Sequence, residues 1–409
     1  MKKIISIIII ILLVVCIAAG IVIGVKLSKD WPDDPVYADT MFYTDEGVYY
    51  IVNHERLVFY DYETDAETTV CSKPDCEHTD NKCDAYYDAF VSSVMVYNNK
   101  LYVMYSPLSN EEYDENMIKI DSETTIEESD LDGSNRKVIY TSNNGTLQSM
   151  CGVGDKIYFT KYEYQDPDNI EMSTYYMDTY LFSYNLNWGN TKELIKYDAS
   201  DKQYNANLEI IYYDKDCSEL FLKFKYNDIS GETESTYNQI ISYKEDETRV
   251  AASLPENATF DTVSILKERI CCIYIEDCYD YDDGVKKIII MDMEGDIISE
   301  IATYDISCSL LDYGSWCMIL LDDENKMLYD IENDKWYIGN IGETWIPDMY
   351  HIDVDNNVIF YDRTDYTGIE PGTVFTENPS SYISGNWSEF LAEYFTAYND
   401  EIFDWISVY

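Results

Sequence analysis

Cys71, Cys76, His78 and Cys83 fall within a 13-residue stretch, spaced Cys-x4-Cys-x-His-x4-Cys. Three thiolates and one imidazole can fill a tetrahedral shell, and zinc is the metal that suits such a donor set. The same thiols can instead pair, since a disulfide between Cys71 and Cys83, or from Cys76 to either, would clip a long loop in an oxidising compartment. The spacing differs from paired Cys-x2-Cys zinc patterns and from haem attachment, where His directly follows the second Cys. A disulfide, a metal and three free thiols are the readings, and all are structural. None leaves an open position of the kind that catalysis at a metal requires.

A second set of candidates is acidic. Glu111, Glu112, Tyr113 and Asp114 form one cluster, Asp166 and Asp168 a second, and Glu276, Asp277, Asp280, Tyr281, Asp282 and Asp283 a third. Carboxylates beside aromatic platforms suit a basic peptide, an amine or a calcium ion. The plainer reading is that long solvated loops are acidic because the whole chain is. Calcium ranks below zinc as a cofactor. Asp353-Val354-Asp355-Asn356-Asn357 begins like an EF-hand loop, but Val358 stands where Gly is required. The chain carries 78 acidic against 28 basic residues, a net charge of −50. Such a surface repels phosphate backbones and excludes nucleic acid as a partner. The fitting ligands are a basic peptide, a protein or a glycan.

Recognisable enzyme motifs are missing: there is no phosphate-binding Gly-rich loop, no His-Glu-x-x-His and no Gly-x-Ser-x-Gly. The three histidines are His54, His78 and His351, and neither His54 nor His351 has a nearby nucleophile in sequence. A carbohydrate-active enzyme using two carboxylates stays open as the alternative function, because acids abound and two suffice.

The elements that must position these residues repeat. Short Tyr-rich apolar strands begin at Val48, Leu101, Ile157, Leu220, Ile270, Trp316 and Val358, each preceded by another strand and a tight polar turn. Asn98-Asn99 and Gly154-Asp155 carry hairpin chemistry, tolerating positive φ. Third and fourth strands follow in most units, for example over 180–185 and 192–197. Four antiparallel strands every 40 to 60 residues predict an all-β fold, a β-propeller of seven blades over 37–383, with six or eight also admitted. One twisted sheet cannot bury both faces alone, and a series of sheets packed face to face can. In such an arrangement the adjacent Cys271 and Cys272 face opposite sides of one strand.

Outside the repeats, residues 4–25 are 22 uncharged, largely aliphatic residues, long enough to span a hydrocarbon core as a transmembrane helix. Apolar residues run past Ala18-Ala19-Gly20, so the segment is read as an uncleaved signal anchor with a cytoplasmic tip at 1–3. A polar linker follows over 26–36. This predicts a single-pass protein of the cell membrane with the propeller outside the cytoplasm. In the tail, 384–409, Asn386-Trp387-Ser388-Glu389 reads as a capping box, and Trp387, Phe390, Leu391, Tyr394, Phe395 and Tyr398 have the spacing of a short C-terminal helix.

Asp130-Leu131-Asp132-Gly133-Ser134-Asn135-Arg136-Lys137-Val138-Ile139 resembles the strand–turn–strand of the propellers in low-density-lipoprotein-receptor-related proteins, with Asp292-Met293-Glu294-Gly295-Asp296 as an echo. Those propellers have six blades and a Tyr-Trp-Thr-Asp signature that this chain lacks. The layout of anchor, first repeat and Cys-His loop resembles exported propellers of anaerobic Gram-positive bacteria. The resemblance implies an extracytoplasmic binding or sensing module and brings no catalytic residues.

Overall fold

The structure, a computed structural model, describes residues 31–32, 34–44, 46–52, 56–61, 64, 66–78, 82–87, 89–107, 124–142, 145–164, 177–199, 203–228, 235–256, 258–276, 286–303, 309–313, 316–320, 325–340, 350–353, 358–362, 382–386 and 395–397. Of these, 203–205, 302–303, 309–313, 316–320, 325–326 and those from 340 onward are described by backbone alone. Every regular element among these residues is a β-strand. The chain divides into two compact units, 1–199 with 215–217, and 200–214 with 218–409.

The first unit contains β1 (Val36–Tyr37), β2 (Met41–Tyr43), β3 (Gly47–Val52), β4 (Arg56–Asp61), β5 (Ala66–Thr69), β6 (Ala89–Tyr97), β7 (Lys100–Pro107), β8 (Thr125–Ser129), β9 (Lys137–Thr141), β10 (Thr146–Val153), β11 (Lys156–Tyr164), β12 (Met177–Asn185) and β13 (Asn190–Tyr197). They form three antiparallel sheets in the orders β2-β3-β4-β5, β6-β7-β8-β9 and β1-β10-β11-β12-β13. Asn98 and Asn99 both take positive φ, 52° and 58°, and so close the β6–β7 hairpin in the conformation that asparagine tolerates.

The second unit contains β14 (Gln203–Asp214), β15 (Glu219–Asp228), β16 (Ser235–Lys244), β17 (Glu247–Ser253), β18 (Thr259–Leu266), β19 (Arg269–Ile275), β20 (Lys286–Met291), β21 (Ile297–Thr303), β22 (Ser309–Tyr313), β23 (Trp316–Leu320), β24 (Asn325–Asp330), β25 (Lys335–Asn340), β26 (Tyr350–Asp353), β27 (Val358–Asp362), β28 (Tyr382–Asn386) and β29 (Phe395–Ala397). The sheets are β14-β15-β16-β17, β18-β19-β20-β21, β22-β23-β24-β25-β29 and β26-β27-β28. The seven second strands of the described sheets start at 47, 100, 156, 219, 269, 316 and 358, each within one residue of the sequence reading.

Alternation along single strands explains why the sheets stack. In β7, Leu101 and Val103 enter a buried cluster with Leu57, Val70 and Ala85 of the first sheet and its outgoing connection, while Tyr102 and Met104 enter another with Ile157 and Phe159 of the third sheet. In β19, Cys271 and Ile273 pack with Met327 and Tyr329, and Ile270 and Cys272 with Phe221 and Ile240. The two adjacent cysteines do face opposite sides. Each such side chain contributes about 2 kcal/mol through burial, so a strand apolar on both faces needs a neighbour on both.

The tail departs from expectation. Phe395, which has helical spacing in the sequence, lies in β29, paired antiparallel to β25 with Gly339↔Phe395 and Tyr337↔Ala397 in register. The edge of β25 offers a row of unpaired backbone groups, and their satisfaction outweighs the local helical pattern. Residues 387–394 and 398–409 lie outside the described residues, as does the apolar stretch 4–25. Among the described residues, no helix is long and apolar enough to cross a membrane.

Candidate metal centre

The connection from β5 to β6 carries the Cys-His stretch. The backbone N–H of Cys76 donates to the carbonyl of Lys73 at 3.3 Å, closing a turn with Pro74 and Asp75 at its centre, where proline's fixed φ fits. His78 follows at φ 56°, in the left-handed region that non-glycine residues occupy at a cost of about 1 kcal/mol or more. That twist brings its Nδ1 to 3.2 Å from the sulfur of Cys83. The ends of the stretch are drawn together by Lys73, whose Nζ lies 2.7 Å from Asp84 and also donates to the carbonyl of Lys82.

One ligand atom each from Cys71, Cys76, His78 and Cys83 lies within 4.8 Å of all the others. A tetrahedral ion with sulfur ligands at about 2.3 Å would hold those sulfurs a little under 4 Å apart, so the cluster is of the right size. Cys71, Cys76 and Cys83 are free thiols. The four side chains stand close enough together that the cluster could hold a metal such as zinc. Cys83 is buried and the other three are half-buried.

The thiols differ in their readiness to ionise. Burial acts to raise Cys71, but the backbone N–H groups of Lys73 and Asp84, with the thiols of Cys83 and Cys76, outweigh it and hold its pKa below the ordinary thiol value. Burial pushes Cys83 up to about 12, a backbone hydrogen bond from Ala85 only partly opposing it. A bound cation would reverse the second effect, because a coordinating thiol is deprotonated outright.

The floor of the site is built by the Asp-Gly turn singled out in the sequence. Between β8 and β9, the N–H of Gly133 donates to the carbonyl of Asp130 and that of Asp130 to Ser134, both at 2.9 Å. Gly133 has φ +79°, and a Cβ there would meet the carbonyl oxygen of Val70 at 2.3 Å and the Asp84 side chain at 3.4 Å. Only glycine lets this turn seat against the connection one residue before Cys71 and one after Cys83. Arg136 then crosses beneath: its Nη1 donates at 3.2 Å to the carbonyls of Asp84 and Tyr86, its Nε pairs with the buried Glu127, and its guanidinium lies 4.1 Å over the Tyr87 ring. Arg136, Glu127 and Asp84 are the supporting residues that residue chemistry alone does not flag, although Arg136 is part of the resemblance motif. The echo motif behaves alike. Gly295, at φ +87°, sits in a turn closed by the same pair of hydrogen bonds, and a Cβ there would meet the carbonyl of Ala251 at 2.5 Å.

The acidic clusters are not brought together by anything described. Glu111, Glu112, Tyr113, Asp114, Asp166, Asp168, Asp277, Asp280, Tyr281, Asp282 and Asp283 lie outside the described residues. Glu276, just beyond β19, is engaged by Lys287 at 2.7 Å, and Lys287 also holds Glu300 at 3.0 Å. These two carboxylates converge on a cation, an ion triad and not an acid–base pair.

No family model and no curated protein matches the chain. Among solved structures it is similar to an oligogalacturonate lyase in complex with manganese, at 11% identity and TM-score 0.43, covering 81% of this chain and 87% of that one. It is similar to the oligogalacturonate lyase of Vibrio parahaemolyticus at 11% identity and TM-score 0.41, covering 81% and 88%. It is also similar to an ulvan-degrading polysaccharide lyase at 9% identity and TM-score 0.33, covering 74% and 91%.

Proposed function

We propose that this chain is a membrane-tethered, extracytoplasmic β-propeller of seven blades that acts as a binding or sensing module, with a structural zinc ion held by Cys71, Cys76, His78 and Cys83. The observation that carries this reading is the closed donor set. Four protein ligands complete a tetrahedral shell, so the ion would serve as a clip and leave no position for substrate. Seven successive antiparallel sheets, with apolar residues on both strand faces, support the propeller. The uncharged stretch 4–25 supports the tether, and the net charge of −50 favours cationic or neutral ligands.

The test is elemental analysis of the full chain, purified in detergent under reducing conditions, beside a thermal-shift panel of basic peptides, glycans and divalent metals. One zinc per chain, lost in Cys76→Ser, and stabilisation by a peptide or glycan without turnover support the reading. A metal-free chain with a Cys71–Cys83 disulfide would remove the clip. Cleavage of a glycan in the panel would replace the binding module with an enzyme.

A further inference from the structure

From Trp31 the chain is built into the first unit. Trp31 packs on the cluster of Met95, Ile157 and Phe159. The carbonyl of Pro32 accepts from the N–H of Gly154 at 3.1 Å, and the Tyr97 hydroxyl lies 2.7 Å from the carbonyl of Gly154. Val36 and Tyr37 then pair with Gly152 and Cys151, covering the free edge of β10. Chain entry is thereby fixed at one end of the third sheet, the end of the β10–β11 hairpin. From Val25 to Trp31 is six Cα steps, at most about 21 Å even if fully extended. The nine residues of β11 alone span about 27 Å. If 4–25 crosses a bilayer, this chain cannot reach around the sheet, and the hairpin end must face the lipid.

That same end presents an exposed indole. Trp188 lies in the turn between β12 and β13 and is 52% exposed. The turn is rigid: Asn185 Oδ1 accepts from the N–H groups of Asn187 and Trp188 at 3.0 and 2.9 Å, and Asp155 of the β10–β11 hairpin accepts from the side-chain amides of Asn185 and Asn187 at 2.8 and 3.3 Å. Charge at this end is partly neutralised, since Lys215 pairs with Asp34. A half-exposed tryptophan beside the entry point has the chemistry of an interfacial anchor.

We infer that the hairpin end of the first unit, with Trp188 at its tip, rests in the headgroup layer of the bilayer. The ends of β7 and β11 at Pro107 and Tyr164 then face away from the membrane. This rests on the tether reading above.

The test reconstitutes the full chain in phosphatidylcholine nanodiscs with and without brominated acyl chains, and compares its tryptophan quenching with that of Trp188→Phe. The expected result is that the fluorescence lost in Trp188→Phe is quenched at least twofold by brominated lipid. If the chain enters nanodiscs and the Trp188 component is not quenched, the orientation is wrong while the tether stands. If the chain stays soluble without lipid or detergent, the tether falls and the orientation with it.

Discussion

Two connections join the outer strand of one sheet to the first strand of the next under an Asp-Gly turn, and they solve the same problem differently. Between β17 and β18 the chain needs only five residues. There Leu254 and Ala258 are buried, and the side chain of Asn238 donates to the carbonyl of Ala258 at 2.8 Å. Between β5 and β6 it uses 19, with Cys71, Cys76, His78 and Cys83 along the way. Loop-closure entropy grows with length, so the long connection needs a cross-link that the short one does without. The contrast fits the proposed clip at the Cys-His stretch.

The largest expected effect separates the two connections. Cys83→Ser should release the metal and destabilise the first unit by about 4 kcal/mol, read as a lowered urea midpoint. Cys272→Ala, in the buried apolar cluster that Leu254 and Ala258 of the short connection join, should cost about 1 to 2 kcal/mol and leave metal content unchanged. Equal losses from both would erase the distinction. Next comes Arg136→Ala. It strands the buried Glu127 and frees the carbonyls of Asp84 and Tyr86, so about 3 kcal/mol should be lost together with metal affinity.

Gly133→Ala and Gly295→Ala sharpen the comparison further. Both force a Cβ onto a carbonyl at positive φ, and each should cost about 2 kcal/mol in denaturant melts. Only the first should raise the zinc dissociation constant, measured by competition with a chromophoric chelator. The smallest effect concerns the thiols themselves. In metal-free protein near pH 8, iodoacetamide should modify Cys71, whose pKa is held low, well before Cys151, which burial raises to about 12. Because Cys151 is raised in the fold, its contribution to stability is complete below the ordinary thiol value and fades as pH climbs toward about 12. Added zinc should protect Cys71 and leave Cys151 unchanged, as peptide mass spectrometry would show.

Much of the frame was legible because period-two burial leaves a direct mark. Alternation at Leu101 to Met104 and hairpin residues at Asn98-Asn99 place β7 to within a residue. Val36–Tyr37 and Phe395–Ala397 were not, since strands this short carry no pattern and are set by an edge that happens to be open. Cys71, Cys76, His78 and Cys83 were visible by type, but that all four could share one ion needs their positions in space. Arg136 and Glu127 are ordinary strand residues in sequence, and their role appears only once Gly133 lets the second sheet close on the connection.

X-ray absorption at the zinc edge of the full chain addresses the central claim most directly. A metal clip predicts a first shell of three sulfurs at about 2.3 Å and one nitrogen at about 2.0 Å. A shell of oxygens and nitrogens without sulfur, or no zinc in protein whose thiols are intact, would contradict it.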